Sequence, residues 1–581
     1  MNESPSTTKL SLIDGLLFFA IAIYPFLLIW QGGDLTDTGF HATYSQNFFS
    51  DLDEGKVKSM VLLTYFIGGL WVKSFPELGV WGLRLLSALF FTGSVFLAFL
   101  TLKEFRPRRV VLAGLFCAQV FALRFTAMAF DYDFVSLFFL MLTACCLWHG
   151  IRNASYKWLF AAGLASGLAS LARLPDILIL GMVPVVFLYT QWACQEKLCV
   201  KEVVWKSLKQ YVVFLLGFAA LVCFFGLLLR SAGAWEAYFQ NLVAFNNTLS
   251  GEDSGTSYSF LSLIKGYLKD IVYFSLYLFG VSSAAIVFSA ILQAKKKKTV
   301  LHLLTILCVG AAFIAFYGNF SYGNTFKYFV PALCILPSII AFVLHESDTK
   351  QYGGLILIAW MVSLVVVAGT ASGLFLKLAY GMLLIIPLLG VLMWNRNVEN
   401  IWNLHISWRP LLVTSAIIII LIGGMLRFGW IYHVDSGLMS RLRAVHPIEH
   451  SLMRNIYTPA WNARHIEEVT RAVQHHIRPD SSLFIYGHEP LFYYLTQQKP
   501  TLFNFWMGRQ VFTTENLFRQ LEESISQTLK YPMVVVTDKK ILGEEGSDLL
   551  DRFLQKHNYQ RVEDSKRFQI WTTEAVSVSL K

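Results

Sequence analysis

Gly33-Asp34-Leu35-Thr36-Asp37-Thr38-Gly39-Phe40-His41 decides how the chain is read, because it follows an apolar run, Leu12 to Trp30, with no basic residue between them. Two carboxylates at the mouth of a membrane helix are costly there unless they stay hydrated, pair, or do chemistry. They are the first candidates for an active site. The run before them is too long for the apolar region of a secretory signal and has no small-x-small cleavage site after it. It reads as a retained anchor.

Hydrophobic residues make up 55% of the 581 and charged residues 15%, with a mean hydropathy of +0.52. Apolar runs of about 20 residues, each long enough to cross a bilayer, recur along most of the chain. The composition implies a polytopic α-helical membrane protein. The net charge of +10 does not point to nucleic acid, because the basic residues sit in short clusters between apolar runs, where they set orientation. The eight cysteines (Cys117, Cys145, Cys146, Cys194, Cys199, Cys223, Cys308, Cys334) fall in apolar runs or in the basic loop around Cys194 and Cys199, so no disulfide framework is indicated.

The positive-inside bias places the loops Lys103 to Arg109, Arg152 to Lys157, Lys197 to Lys209 and Lys295 to Lys298 in the cytoplasm. With the N-terminus inside, the first helix runs outward to Trp30 and leaves Asp34 and Asp37 outside. The next full span, Val80 to Leu102, must return to deliver Lys103 inside, so Met60 to Phe75 is not an ordinary crossing. That stretch and the more amphipathic Tyr44 to Lys58 read as helices along the outer membrane surface, around 44–75. Further spans then alternate: Val110 to Met128, Phe134 to Ile151, Trp158 to Leu171, Ile177 to Trp192, Tyr211 to Leu229, Ile271 to Leu292, Val300 to Tyr317, Tyr328 to His345, Gly353 to Thr370, Leu374 to Trp394 and Leu411 to Ile431. This makes about 13 crossings.

Residues 1–432 are thus the transmembrane part, and 433–581 a hydrophilic tail of small-domain size on the outer side. In the tail, β-rich runs (Ser482 to Tyr486, Met533 to Thr537, Phe568 to Thr572) alternate with helical patterns (Ala463 to His476, Glu515 to Leu529, Ser547 to Lys556). That rhythm predicts an α/β layer structure. With no P-loop, GxGxxG or nucleophile elbow, the tail reads as a folded cap.

Under this topology the outer face receives Asp34, Asp37 and His41, then Arg84 near the start of the second crossing, Asp131 and Asp133, Arg173, Lys265 and Lys269, and Lys327. Acids from two loops with cations around them suit a transfer in which one carboxylate takes a proton from an acceptor hydroxyl or amine. The cations would hold a phosphate leaving group at the bilayer surface. A sugar on a polyprenyl phosphate fits, since its head group sits at that depth and its tail in lipid. Each residue also has a structural use. Asp34 can cap a helix, Asp133 can be the N-cap of a helix starting at Phe134, and Arg84 can snorkel or find a partner. Arg173 can anchor the interface, His41 can close its loop by hydrogen bonding, and the three lysines can be solvated rim charges.

The order of parts resembles the GT-C glycosyltransferases, above all the protein O-mannosyltransferases and the aminoarabinose transferase of lipid A. The shared features are an acidic motif outside the first crossing, surface helices, Arg84-Leu85 opening the next crossing, an acid in the following outer loop and a C-terminal α/β domain. In that family the first outer loop usually carries Asp-Glu, and its Asp is implicated in catalysis. Asp37 matches it, although Thr38 stands in place of the Glu. The resemblance matches Asp133, or alternatively Asp131, to the second-loop acid, and Arg84 and Arg173 to basic positions near the lipid phosphate. The stretch from Leu483 to Thr496 (LFIYGHEPLFYYLT) resembles the soluble-domain signature of bacterial relatives.

The resulting expectation is an inverting glycosyltransferase of the cytoplasmic (inner) membrane, with the N-terminus inside and the C-terminal domain outside. Its partners are a polyprenyl-phosphate-linked sugar donor, a lipid, glycan or protein acceptor, and membrane lipid, with no nucleic acid. Asp37 is the general base and Asp133 orients it or the acceptor, while Arg84, Arg173 and Lys265 hold phosphate. No ligand cluster calls for a metal or other cofactor. The alternatives are a transferase of whole oligosaccharides with a divalent cation between Asp37 and Asp133, a non-catalytic relative lacking the Glu after Asp37, or a transporter. The spans look almost free of charges, which weighs against the transporter.

Overall fold

The computed structural model describes residues 11–194, 199–250, 262–276, 278, 322–343, 347–369, 374–395, 398–401, 404–437, 439–477, 481–506 and 514–573. Helix α1 (Leu12–Leu27) opens with a capping box in which the Ser11 hydroxyl accepts from Asp14 N and the Asp14 carboxylate accepts from Ser11 N. Arg109, in the first turn of the helix Arg108–Ala122, donates to both side chains, at 3.2 Å to Asp14 and 3.1 Å to Ser11.

Two helices follow, α2 (Asp37–Asp53) and α3 (Leu62–Ser74). Helices were expected here, but α2 starts seven residues earlier than Tyr44. The reason is the Asp34 side chain: one oxygen accepts from Thr36 N and Thr36 Oγ1 at 3.1 and 2.6 Å, and the other from Thr38 N at 2.7 Å, which satisfies the helix entry. Asp37 then stands in the first turn, where the helix dipole favours a carboxylate.

The membrane part continues with α4 (Gly79–Leu102), α5 (Arg108–Ala122), α6 (Tyr132–Arg152), α7 (Tyr156–Ala172), α8 (Ile179–Cys194), α9 (Val200–Ser231) and α10 (Trp235–Ser250). Helices Tyr322–Val343, Ser347–Val367, Leu374–Asn395 and Trp408–Gly429 complete it. Among the described residues six helices are long and apolar enough to cross a bilayer: Pro76–Leu102, Tyr132–Arg152, Leu174–Ala193, Val200–Ser231, Leu374–Asn395 and Leu412–Gly429. The crossing expected at Val300 to Tyr317, most of Ile271 to Leu292, and the Lys295 to Lys298 cluster lie outside the described residues. Helix α5 ends at Ala122, short of the expected Met128. Small residues let helices meet closely: a Cβ on Gly163 of α7 would stand 2.0 Å from Phe214 O, and one on Gly217 of α9 2.1 Å from Phe160 O.

The spans are not as free of charge as expected. Arg84, Arg124 and Arg427 are 1%, 1% and 5% exposed, and Lys377 lies in the first turn of its apolar helix. All four sit toward the end that carries Asp37, so the charges gather at one end and leave mid-span apolar.

Past Gly429 a mixed sheet of four strands is ordered Leu483–Tyr486, Met533–Val536, Gln569–Thr573, Tyr559–Asp564, the first pair parallel and the others antiparallel. Phe484, Tyr486, Val534 and Val536 pack with Leu517, Leu521, Leu550 and Phe553 on one face. Leu483, Ile485, Met533 and Val535 pack with Ile466, Val469 and Val473 on the other. With both faces covered, the parallel strands Leu483–Tyr486 and Met533–Val536 are continuous apolar runs rather than alternating ones. Helix Leu491–Thr496 lies on α2 at Gly39, where a Cβ would come within 2.0 Å of Leu491 N. The Tyr44 hydroxyl donates to Phe503 O at 2.5 Å, and Lys499 pairs with Asp51 at 3.5 Å. The surface helix α2 is therefore the seam between the two parts.

Candidate active site

The chain from Ile29 to Gly33 is pinned from both sides. Arg84 donates to Ile29 O and Gln31 O, each at 3.2 Å, and to Gly32 O. From the C-terminal part, Asn462 donates to Gly33 O at 2.9 Å, and Gly32 N donates to Tyr457 O at 2.8 Å. Arg84 donates to carbonyls behind the loop and does not line the cavity described below, so these contacts are those of a scaffold rather than of a phosphate ligand. Asp34, 2% exposed, is likewise occupied with its own backbone and Thr36.

Asp37 differs. It is half-buried, and its Oδ2 accepts from the Tyr432 hydroxyl at 2.5 Å. Burial, then the Asp34 carboxylate, push its carboxyl above the usual range, while the Tyr432 hydrogen bond, Lys377 and His433 pull the other way. One turn on, His41 is 6% exposed, with Nδ1 2.9 Å from the Tyr65 hydroxyl and its ring edge-on to Tyr132. Burial pushes the imidazole down to about 3, so His41 is neutral at pH 7 and brings no charge to a phosphate.

The second acids divide their roles in the reverse of the simplest expectation. Asp131, not Asp133, is the N-cap of α6, its Oδ1 accepting from Asp133 N and Phe134 N at 3.1 and 3.2 Å. Asp133, 3% exposed, forms an ion pair with Lys377. Beside it Arg173 donates to Asp176 at 3.0 Å and to the carbonyls of Val365, Val366 and Ala368, and Ser136 donates to Asp176.

These groups face a cavity of about 1460 Å³. Asp37, His41, Asp131, Asp133, Arg173, Arg124 and Lys377 line its membrane end, and Trp461, His465, Glu489 and Trp506 line the side built by the C-terminal part. His465 Nε2 lies 3.0 Å from both Glu489 oxygens. Lys265 and Lys269 are exposed and away from this lining. Lys327 stands 3.9 Å from Asp270, also outside it. The three lysines therefore do not join the acids.

Sequence reading missed Lys377, Tyr432 and Arg124. A lone lysine in the first turn of an apolar helix was a usable signal for Lys377, and an arginine where an apolar run ends was one for Arg124. Tyr432, one of 24 tyrosines, carried none. Among the described residues no group of three or more His, Cys, Asp or Glu side chains is arranged to hold a metal ion.

Residues 57–238 match the model of a family described as dolichyl-phosphate-mannose-protein mannosyltransferase. The matched stretch contains Arg84, Asp131, Asp133 and Arg173; Asp34, Asp37 and His41 lie upstream of it. The chain resembles the GT-C superfamily glycosyltransferases. Among solved structures it is similar to ArnT from Cupriavidus metallidurans bound to undecaprenyl phosphate, at 13% identity over 96% of this chain and 97% of that one, TM-score 0.41. It is also similar to the Archaeoglobus fulgidus oligosaccharyltransferase in complex with Zn and sulfate, at 12% identity over 98% and 74%, TM-score 0.48. A third is the oligosaccharyltransferase AglB of the same organism with an inhibitory peptide and a dolichol-phosphate, at 11% over 98% and 76%, TM-score 0.45. No curated protein sequence matches the chain.

Proposed function

We propose that the chain is a multi-spanning glycosyltransferase that moves a sugar from a polyprenyl-phosphate carrier to an acceptor on the outer face of the cytoplasmic membrane, with inversion. The observation that carries this is one cavity, at the end of the apolar spans, whose wall holds Asp37 beside the Asp133–Lys377 pair. The matched family's description names a lipid-phosphate sugar, which fits a cavity at that depth.

Asp37 takes the proton of an acceptor hydroxyl or amine as the acceptor attacks the anomeric carbon. The bond from that carbon to the phosphate oxygen breaks on the opposite side, and the electron pair stays on the phosphate. Arg124 is the best-placed cation for that charge. It lines the cavity, is 1% exposed and donates only to Phe121 O, while Nε and Nη2 have no hydrogen-bond partner among the described residues. A buried guanidinium with open donors is costly until an anion meets it, whereas Arg173 is already satisfied by Asp176 and three carbonyls. Asp133 with Lys377 orients the acceptor.

The orientation rests on the far end of the bundle, where Arg109 meets Asp14 and Arg152 meets Glu104, away from the cavity. Those basic loops belong in the cytoplasm, with about 13 crossings in all and residues 433–581 as an extracytoplasmic α/β domain.

Membranes carrying the protein, supplied with undecaprenyl-phosphate sugars, test the reading: Asp37→Asn lowers turnover by about 10²–10⁴-fold, and unchanged turnover removes Asp37 from its role. The metal-dependent alternative needs a cation between Asp37 and Asp133, where Asp133 already holds an ammonium. Loss of activity on chelation, restored by a divalent ion, would favour it.

A further inference from the structure

Tyr432 lies 395 residues from Asp37, yet its hydroxyl meets Oδ2 at 2.5 Å. The contact is built into the backbone. Tyr432 sits in the turn joining Trp430–Ile431 to Asp435–Ser436, which pair antiparallel just past the last membrane helix. Val434 N donates to Ile431 O at 3.0 Å and Gly437 N to Gly429 O at 2.8 Å. His433, with φ of +52°, turns the chain sharply. Arg441 then clamps the turn, donating to Arg427 O at 2.9 Å and Trp430 O at 3.2 Å, and Gln31 donates to Arg441 O at 3.1 Å. The end of the first helix and the end of the last are thus stitched into one joint, and that joint presents Tyr432 to Asp37.

We infer that Tyr432 is the positioning residue of the proposed base, holding Oδ2 so that Oδ1 faces the acceptor and keeping the carboxylate ionised until it takes the acceptor's proton. This rests on the assignment of Asp37 as base. A lone hydroxyl suits the task better than a cation, because it donates to the carboxylate without neutralising it. In the transfer the acceptor's proton goes to Oδ1, and Tyr432 keeps its own proton throughout. The charged and titratable groups facing Asp37 are Asp34 on its own loop, Tyr432 and His433 on the joint, Lys377 on helix Leu374–Asn395, Asp131 at the start of α6 and Tyr65 on α3. Two of these are carboxylates that oppose ionisation of Asp37, and burial opposes it further. Tyr432 is the neighbour in direct hydrogen bond that opposes them.

The test uses the full-length protein in membranes, with wild type, Tyr432→Phe and Asp37→Asn compared by two measurements. The first is the pH profile of kcat/KM with undecaprenyl-phosphate sugars of hexose, pentose and aminosugar type. The second is labelling of Asp37 by a hydrophobic carbodiimide, which couples to protonated carboxyls, followed by peptide mass spectrometry across the same pH range. Loss of one hydrogen bond to a charged group raises the pKa of Asp37 by about one to two units. In Tyr432→Phe the acid limb and the labelling midpoint therefore both move to higher pH by that amount. Below the wild-type midpoint of the acid limb, activity falls by about tenfold or more, and it recovers toward wild type on the alkaline side, with the donor KM unchanged. An unmoved labelling midpoint overturns the inference, as does a loss equal at every pH with a lowered melting temperature. If the wild type turns over none of the donors while its labelling midpoint still shifts in Tyr432→Phe, the transfer reading fails and the tie between Tyr432 and Asp37 stands.

Discussion

Asp37 and Asp133 face the same cavity, and both open α-helices, yet they are held in opposite ways. Asp133 is 3% exposed and carries the Lys377 ammonium. Asp37 is half-buried and, among the described residues, carries only the Tyr432 hydroxyl. A carboxylate fixed by an ammonium gives up that attraction when it takes a proton and is a poor base. One held by a hydroxyl in a desolvated place is a better one. The difference separates an acid that orients from an acid that reacts, and it can be broken at either side.

The largest effect is expected at the reacting side. Asp37→Asn keeps the shape and removes the proton acceptor, so kcat falls by about 10²–10⁴-fold with little change in donor KM. Asp34→Asn, three residues earlier, weakens the hydrogen bonds to Thr36 and Thr38 that hold the entry of α2, at a cost of about 0.5–2 kcal/mol of stability, with a much smaller loss of kcat. Equal losses in the two variants would dissolve the contrast.

On the orienting side, removing one member of a buried pair strands the other. Lys377→Met leaves the Asp133 carboxylate buried without its cation, at a cost of about 3–5 kcal/mol of stability. The double variant Lys377→Met, Asp133→Asn recovers most of that loss, as a thermal melt in detergent would show. A double variant no better than Lys377→Met would mean that the lysine serves something other than Asp133.

How far the two acids could be told apart before the structure depended on distance along the chain. The acidic stretch 33–41, the surface helices after it and the strand-to-helix segment Leu483 to Thr496 were legible, because each is a local pattern. Their assembly was legible only in part. Gly39 follows from helix propensity as an oddity, but its reason, the backbone of Leu491 against α2, is a contact across the chain. Lys377 lies 244 residues from Asp133 and Tyr432 lies 395 from Asp37. Nothing in residue type announces such partners. Arg84 stood out as an unusual residue, but a buried arginine that donates to carbonyls and one that waits for phosphate look alike in sequence.

The seam that brings the acids to the C-terminal wall supplies the next test. Gly39→Ala places a Cβ about 2.0 Å from Leu491 N, a backbone atom that can yield only if α2 and helix Leu491–Thr496 move apart. A strained contact of this kind costs about 1–3 kcal/mol. Because α2 carries Asp37 and α6 carries Asp133, the shift should raise the acceptor KM more than the donor KM.

The smallest effect concerns His41, which joins the two acids, one turn after Asp37 on α2 and with its ring against Tyr132 beside Asp133. Burial holds its folded pKa at about 3, below the 6.5 of the free imidazole. The sign follows from where the protons go: between those values the unfolded chain binds a proton that the folded chain does not, so stability present above pH 6.5 is lost as the pH falls. At pH 5.5 one such group accounts for about 1.4 kcal/mol. His41→Asn keeps a polar atom near Tyr65 and cannot titrate, so its melting temperature should fall less than that of the wild type between pH 7.5 and 5.5. Parallel declines would mean that His41 is protonated in the folded protein, and the neutral link between the acid that reacts and the acid that orients would then have to be redrawn as a third charge.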